Sequence, residues 1–133
     1  MQWPPAVVVH GFDHACTALA CARPVTLLSG FGAGVYGGVG WWKALVEAAR
    51  GTLPGAYAPD ILDCADAPGA AMAALRLGQP AVILDRATPA FSAVAGAAAT
   101  CGALLLDVRP PALDLAAPGA ARALAAWLTR EPG

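Results

Sequence analysis

Five short aliphatic runs recur along this chain, separated by stretches of helical length, and that alternation constrains the fold more than any other feature. The runs are Ala6 to Val9, Val25 to Ser29, Asp60 to Asp63, Ala81 to Asp85 and Ala103 to Val108. Strands that alternate with helices read as β-α-β units around a parallel sheet, because a parallel neighbour is reached only through a crossover long enough to hold a helix. The chain has 133 residues, 58% of them hydrophobic, which is enough for one core and too little for two ordinary domains. Residues 1–133 are therefore read as a single α/β domain.

The segments between the runs carry helix punctuation. Asp13 precedes a segment that reaches Ala22 and stops before Pro24. Asp66 stands ahead of Ala67-Pro68, and Gly78 closes that helix, while Thr88-Pro89 opens another that Gly102 closes. A side-chain oxygen for the free amides, an early proline and a final glycine thus occur in the right order twice. Trp42, Leu45, Val46 and Ala49 keep the spacing of one helical face, with Lys43, Glu47 and Arg50 on the other side. A last helix, roughly Pro118 to Arg130, carries Leu124 and Leu128 on one stripe with Trp127 beside it, and Arg109-Pro110-Pro111 leads towards it. The expected architecture is a three-layer α/β/α sandwich with a mostly parallel five-stranded sheet, flavodoxin-like or minimal Rossmann-like, with the strand order open.

Charge and patterning exclude several classes of partner. Eight basic residues against nine acidic ones leave a net charge of -1 with no cluster of either sign, which speaks against nucleic acid and against a polybasic membrane anchor. Pro24 to Trp42 and Ala87 to Leu106 are uncharged and about long enough to span a bilayer. They are rich in glycine and alanine, not leucine and phenylalanine, and read as buried soluble structure. The start shows no basic region followed by a long apolar core, so the expected home is the cytoplasm. Cys16, Cys21, Cys64 and Cys101 lack the paired spacing of a zinc site, so no metal is assigned and buried free thiols are expected for three of the four.

In an open parallel sheet, ligands bind beyond the carboxyl ends of the strands. Here those ends read His10-Gly11, Ser29-Gly30, Asp63-Cys64, Asp85-Arg86, and Asp107 with Arg109. Asp and Gly also begin turns for purely local reasons, so the row is a candidate lip and no more. Gly32 to Gly37 fits G-x-G-x-x-G, a pattern that brings backbone amides against a phosphate. It starts several residues past its strand and belongs to the second run, so a packed or mobile glycine loop competes with the phosphate reading.

The preferred expectation is a domain that binds a small anionic ligand, with phosphate-bearing compounds as the first class to consider and the cofactor unknown. Gly30, Gly32, Gly34 and Gly37 would supply amides, Arg86 and Arg109 counter-charge, and Asp63, Asp85 or Asp107 a hold on hydroxyl groups or a magnesium ion. The alternative from the enzyme class makes Cys64, between strand and helix, a nucleophile for acyl or amide chemistry with His10 or His14 as base. Asp63 and Asp66 beside it oppose thiolate formation. A third reading is an assembly or regulatory module, a homo-oligomer with a dimer as first guess, anchored by the flank residue Trp41.

Overall fold

The computed structural model describes residues 3–130. In chain order the elements are β1 (Ala6–Val9), α1 (Phe12–Leu19), β2 (Thr26–Ser29), α2 (Ala33–Tyr36), α3 (Val39–Thr52), β3 (Asp60–Asp63), α4 (Pro68–Arg76), β4 (Ala81–Ile83), α5 (Phe91–Cys101), β5 (Leu104–Leu106), β6 (Ala112–Asp114) and α6 (Ala120–Leu128). The strands form one sheet in the order β5-β4-β3-β2-β1-β6, and every pairing is parallel. This is the expected Rossmann-like α/β fold, a parallel sheet flanked by helices, with six strands where five were read. The sixth strand is three residues long and follows two prolines, so no aliphatic run announces it. Its consequence for Arg109-Pro110-Pro111 is large. β5 and β6 lie at opposite edges, and only residues 107–111 join them, so this segment recrosses the sheet instead of leading directly into the last helix.

The chain winds from β1 to β5 steadily in one direction, so right-handed crossovers set the intervening helices on one face. The core agrees. Ala15 and Ala18 of α1, Trp42 and Val46 of α3, Ala71 and Leu75 of α4, Val94 of α5 and Leu124 of α6 share a cluster with Val7, Leu27, Leu62 and Val82. The opposite face carries Ala6, Val8, Leu28, Ile61, Ala81 and Ile83, with Trp3 packed against them and no helix residue among those described. Helical cover is thus concentrated on one side of the sandwich. A right-handed return from β5 to β6 runs over the other side. Arg109 agrees with that course, because it bonds Asp63, which strand alternation places on the face of Ile61.

Helix ends follow the sequence at their carboxyl termini and depart from it at their amino termini. Gly78 and Gly102 take φ of 84° and 71° just past α4 and α5, the left-handed geometry glycine supplies without strain. Asp13, Asp66 and Thr88 do not cap: α1, α4 and α5 begin after Gly11, Ala67 and Ala90, none with a side-chain cap bond. Pro68 at the start of α4 removes one amide that a cap would serve. On α3, Trp42, Leu45, Val46 and Ala49 are buried, as their spacing requires, and Lys43 pairs with Glu47 at 3.3 Å on the open side. The thiols depart from expectation. All four are free, but Cys64 is the one that is buried; Cys16 and Cys21 are partly covered and Cys101 is exposed, because they fall on helix flanks and ends. No described helix is long and apolar enough to cross a membrane.

Candidate functional site

Parallel pairing brings the carboxyl ends of all the strands to one lip, which is where the candidate residues fall. They do not form one cluster. They separate into three groups along the lip, each with its own chemistry.

The group at β2 and β3 is closed. Asp63 is 1% exposed. Its Oδ1 accepts the Gly32 and Ala65 amides at 3.2 and 2.8 Å, and its Oδ2 accepts from Arg109 Nη1 at 2.7 Å. Arg109 Nη2 also donates to the Ser29 carbonyl, and the Ser29 hydroxyl accepts the Asp63 amide. Asp63 and Arg109 therefore bind each other, and the Gly32 amide offered for a phosphate is already taken. Gly34 is closed for a different reason: a Cβ there would lie 2.9 Å from Cys64 Sγ and 3.2 Å from the Asp63 carbonyl. The missing side chain is what lets α2 seat on β3. Gly37 is likewise covered, by the Trp41 ring.

Cys64 lies under that seat. Burial first, and the Asp63 carboxylate second, push its thiol up to about 12, so the reactive thiolate is absent at neutral pH. The backbone strain in this turn belongs to Ala65, at φ 52°, the next residue along. No hydrogen bond joins Cys64 to His10 or His14 among the described residues. β2 stands between β3 and β1, and two strand spacings are roughly 10 Å, too far for direct proton transfer. The sequence-based pairing of Cys64 with a histidine base thus lacks both an accessible thiolate and the contact.

The group at β4 and β5 is open but mutually neutralised. Arg86 Nε lies 2.6 Å from Asp107 Oδ2, and the guanidinium covers the Phe91 ring at 5.4 Å. The Arg86 hydrogen bond and charge hold the Asp107 carboxyl below its usual range. Asp85 turns its Oδ1 onto the Ala87 amide and shapes the loop before α5.

The third group, at β1, β2 and β6, has unused functional atoms. His10 Nε2 and Asp114 Oδ1 are 2.8 Å apart across the β1–β6 junction. Desolvation of Asp114 tends to raise its pKa, but the Ala116 amide and the His10 and His14 rings outweigh it and hold the carboxyl below 3.8. The His10 amide donates to His14 Nδ1 at 3.1 Å, and the two rings meet edge to face at 5.7 Å. At Gly30, the position of an absent Cβ is 2.8 Å from the Tyr36 hydroxyl and 3.1 Å from His10 Nδ1. Neither of those atoms has a hydrogen-bond partner among the described residues, and both residues are exposed. α1 starts two residues after His10, so its unpaired first-turn amides face the same lip. Strand order also reverses here: β2 to β5 extend from one side of β1, and β6 is added to the other. Open sheets place their ligand crevice at such a reversal.

Sequence reasoning reached His10, His14 and Gly30 and missed Tyr36 and Asp114. Tyr36 sits inside the glycine pattern, and the dyad with Asp114 depends on a strand that the runs do not reveal. Among the described residues no three His, Cys, Asp or Glu side chains gather to hold a metal. A scan of protein-family models and a search of curated proteins find no match to this chain.

Proposed function

We propose that this chain is a cytoplasmic small-molecule-binding domain that takes a small oxyanion at the carboxyl ends of β1 and β2. The observation that carries the reading is the His10 imidazole, anchored by Asp114, standing with the Tyr36 hydroxyl over Gly30 at the lip where α1 begins. Tyr36 supplies a hydroxyl donor, His14 a ring N–H, and the first turn of α1 its amides and partial positive charge. Relative to the sequence-based expectation the site contracts: Gly30 remains in it, while Gly32, Gly34, Asp63 and Arg109 belong to the frame that holds α2 in place. Inorganic phosphate, nucleotides, sugar phosphates and divalent ions form the test panel in thermal-shift measurements. A ligand at a hundred times its Kd adds about 2.7 kcal/mol to stability. The expected result is stabilisation by phosphate-bearing compounds that His10→Ala and Tyr36→Phe together remove; no stabilisation by any member withdraws the reading.

A second reading has its own observation. Phe31, Val35, Tyr36 and Trp41 are 72%, 56%, 69% and 39% exposed around α2, an apolar surface of the kind that self-association covers. We propose that two copies meet there. Light scattering of Val35→Glu against the parent chain tests it, with a monomeric parent at 100 μM counting against a dimer.

A further inference from the structure

The reading above leaves the class of oxyanion open, and the ring of His10 narrows it. The Asp114 carboxyl is held below its ordinary range and accepts, so the atom facing it at 2.8 Å is an Nε2 that carries hydrogen. A neutral imidazole has one ring hydrogen, so the other nitrogen, Nδ1, is a bare acceptor. That is the nitrogen turned to Gly30 beside the Tyr36 hydroxyl. Beside the donors of the lip, the Tyr36 hydroxyl among them, the ring thus adds one acceptor. The acceptor repels a fully ionised oxygen and takes an oxygen that still bears hydrogen.

Resting on the proposed anion site, we infer that this lip selects an oxyanion that retains an O–H of its own, hydrogen phosphate being the simplest, over a fully ionised one such as sulfate. The P–O–H hydrogen is donated to His10 Nδ1, and an ionised oxygen of the same group accepts from Tyr36. The titratable groups around the imidazole are Asp114 on β6, His14 and Asp13 on α1, and Tyr36 on α2. Of these, Asp114 alone bonds a ring nitrogen of His10, and the His14 ring nitrogen Nδ1 is occupied by the His10 amide.

Phosphate and sulfate are the probes, titrated by calorimetry and by amide chemical shifts at pH 8, because the two are similar in size and charge there and differ by one hydrogen. The expected result is a preference for phosphate of tenfold or more at pH 8. Asp114→Asn, whose amide can either donate to or accept from Nε2, releases the ring and reduces the preference at pH 8. Tyr36→Phe weakens both anions alike. A second measurement needs no ligand: ring ¹⁵N shifts of the folded protein at pH 8 report a bare Nδ1 and a protonated Nε2 on His10. Equal binding of the two anions at the lip at pH 8, or a protonated Nδ1, overturns the inference and leaves the anion site standing. Binding of neither anion overturns both.

Discussion

Both carboxylate oxygens of Asp63 are taken up inside the fold, and this one residue holds the glycine loop, the β3–α4 turn and the returning chain together. Removing it leaves Arg109, whose side chain is 28% exposed, without its partner, and leaves two amides unserved. Breaking a buried pair from one side costs about 3–5 kcal/mol, and the partial exposure of Arg109 sets the lower end. Asp63→Ala is expected to lose about 3 kcal/mol in urea denaturation; a loss below 1 kcal/mol contradicts the role. At Gly34 two effects oppose. Alanine is worth about 1 kcal/mol over glycine inside a helix, but its methyl group lands 2.9 Å from Cys64 Sγ. Overpacking of that kind costs about 1–3 kcal/mol and wins. Gly34→Ala should therefore destabilise, and Cys64→Ala in the same chain should restore part of the loss, a coupling that a double-mutant cycle measures. From the sequence, Asp63 and Gly34 read as ligand residues. Asp and Gly serve the frame of a turn and the binding of an anion with the same atoms, and only the identity of the partner distinguishes the uses.

Among the elements, β6 and α6 are the last to join, at the edge of the sheet beside β1. β6 pairs with β1 over three residues, the Leu115 amide donates to the Val8 carbonyl, Leu124 and Leu128 of α6 enter the core, and the His10–Asp114 pair and a 2.7 Å bond from Trp127 Nε1 to the Ala6 carbonyl add to these. The Trp127 ring also lies under Arg130 at 4.2 Å. Trp127→Phe keeps most of the apolar contact and deletes the donor, at about 1 kcal/mol. Its effect should be local: amide exchange in α6 is expected to quicken about fivefold while exchange in β2 and β3 changes less. Uniform quickening would show that α6 opens only with the whole domain. The elements themselves were largely legible. Four of the five aliphatic runs keep their limits or shrink by one or two residues, and Ala103 to Val108 loses Ala103 at one end and, at the other, Asp107 and Val108 to the segment that starts the return. What escaped were the weakly patterned pieces, β6 and the four-residue α2, whose lengths are too short for either period to repeat.

For the whole molecule, two perturbed groups set the pH range of stability from opposite sides. Cys64 has a folded pKa near 12 against an ordinary 9.0, so its contribution is complete below 9 and is lost as pH rises from 9 towards 12. The slope within that window is about 1.4 kcal/mol per pH unit, and Cys64→Ala should flatten it. Asp114 is shifted the other way. Its contribution is present above 3.8 and is lost as acid protonates it below that value, so Asp114→Asn should reduce the loss of stability on descending from pH 4. Urea midpoints across pH 3–11 check both arms, and a Cys64→Ala chain with an unchanged alkaline arm would contradict the burial argument.

The sequence by itself determined the alternation of strand and helix, the buried faces and the single lip, because these follow from local periods and from the reach of a parallel crossover. The tertiary structure decided the strand order, the one-sided distribution of the helices and the pairing of His10 with Asp114. Those depend on which side of β1 the chain returns to after β5, and on contacts between residues 104 positions apart, which no local pattern encodes.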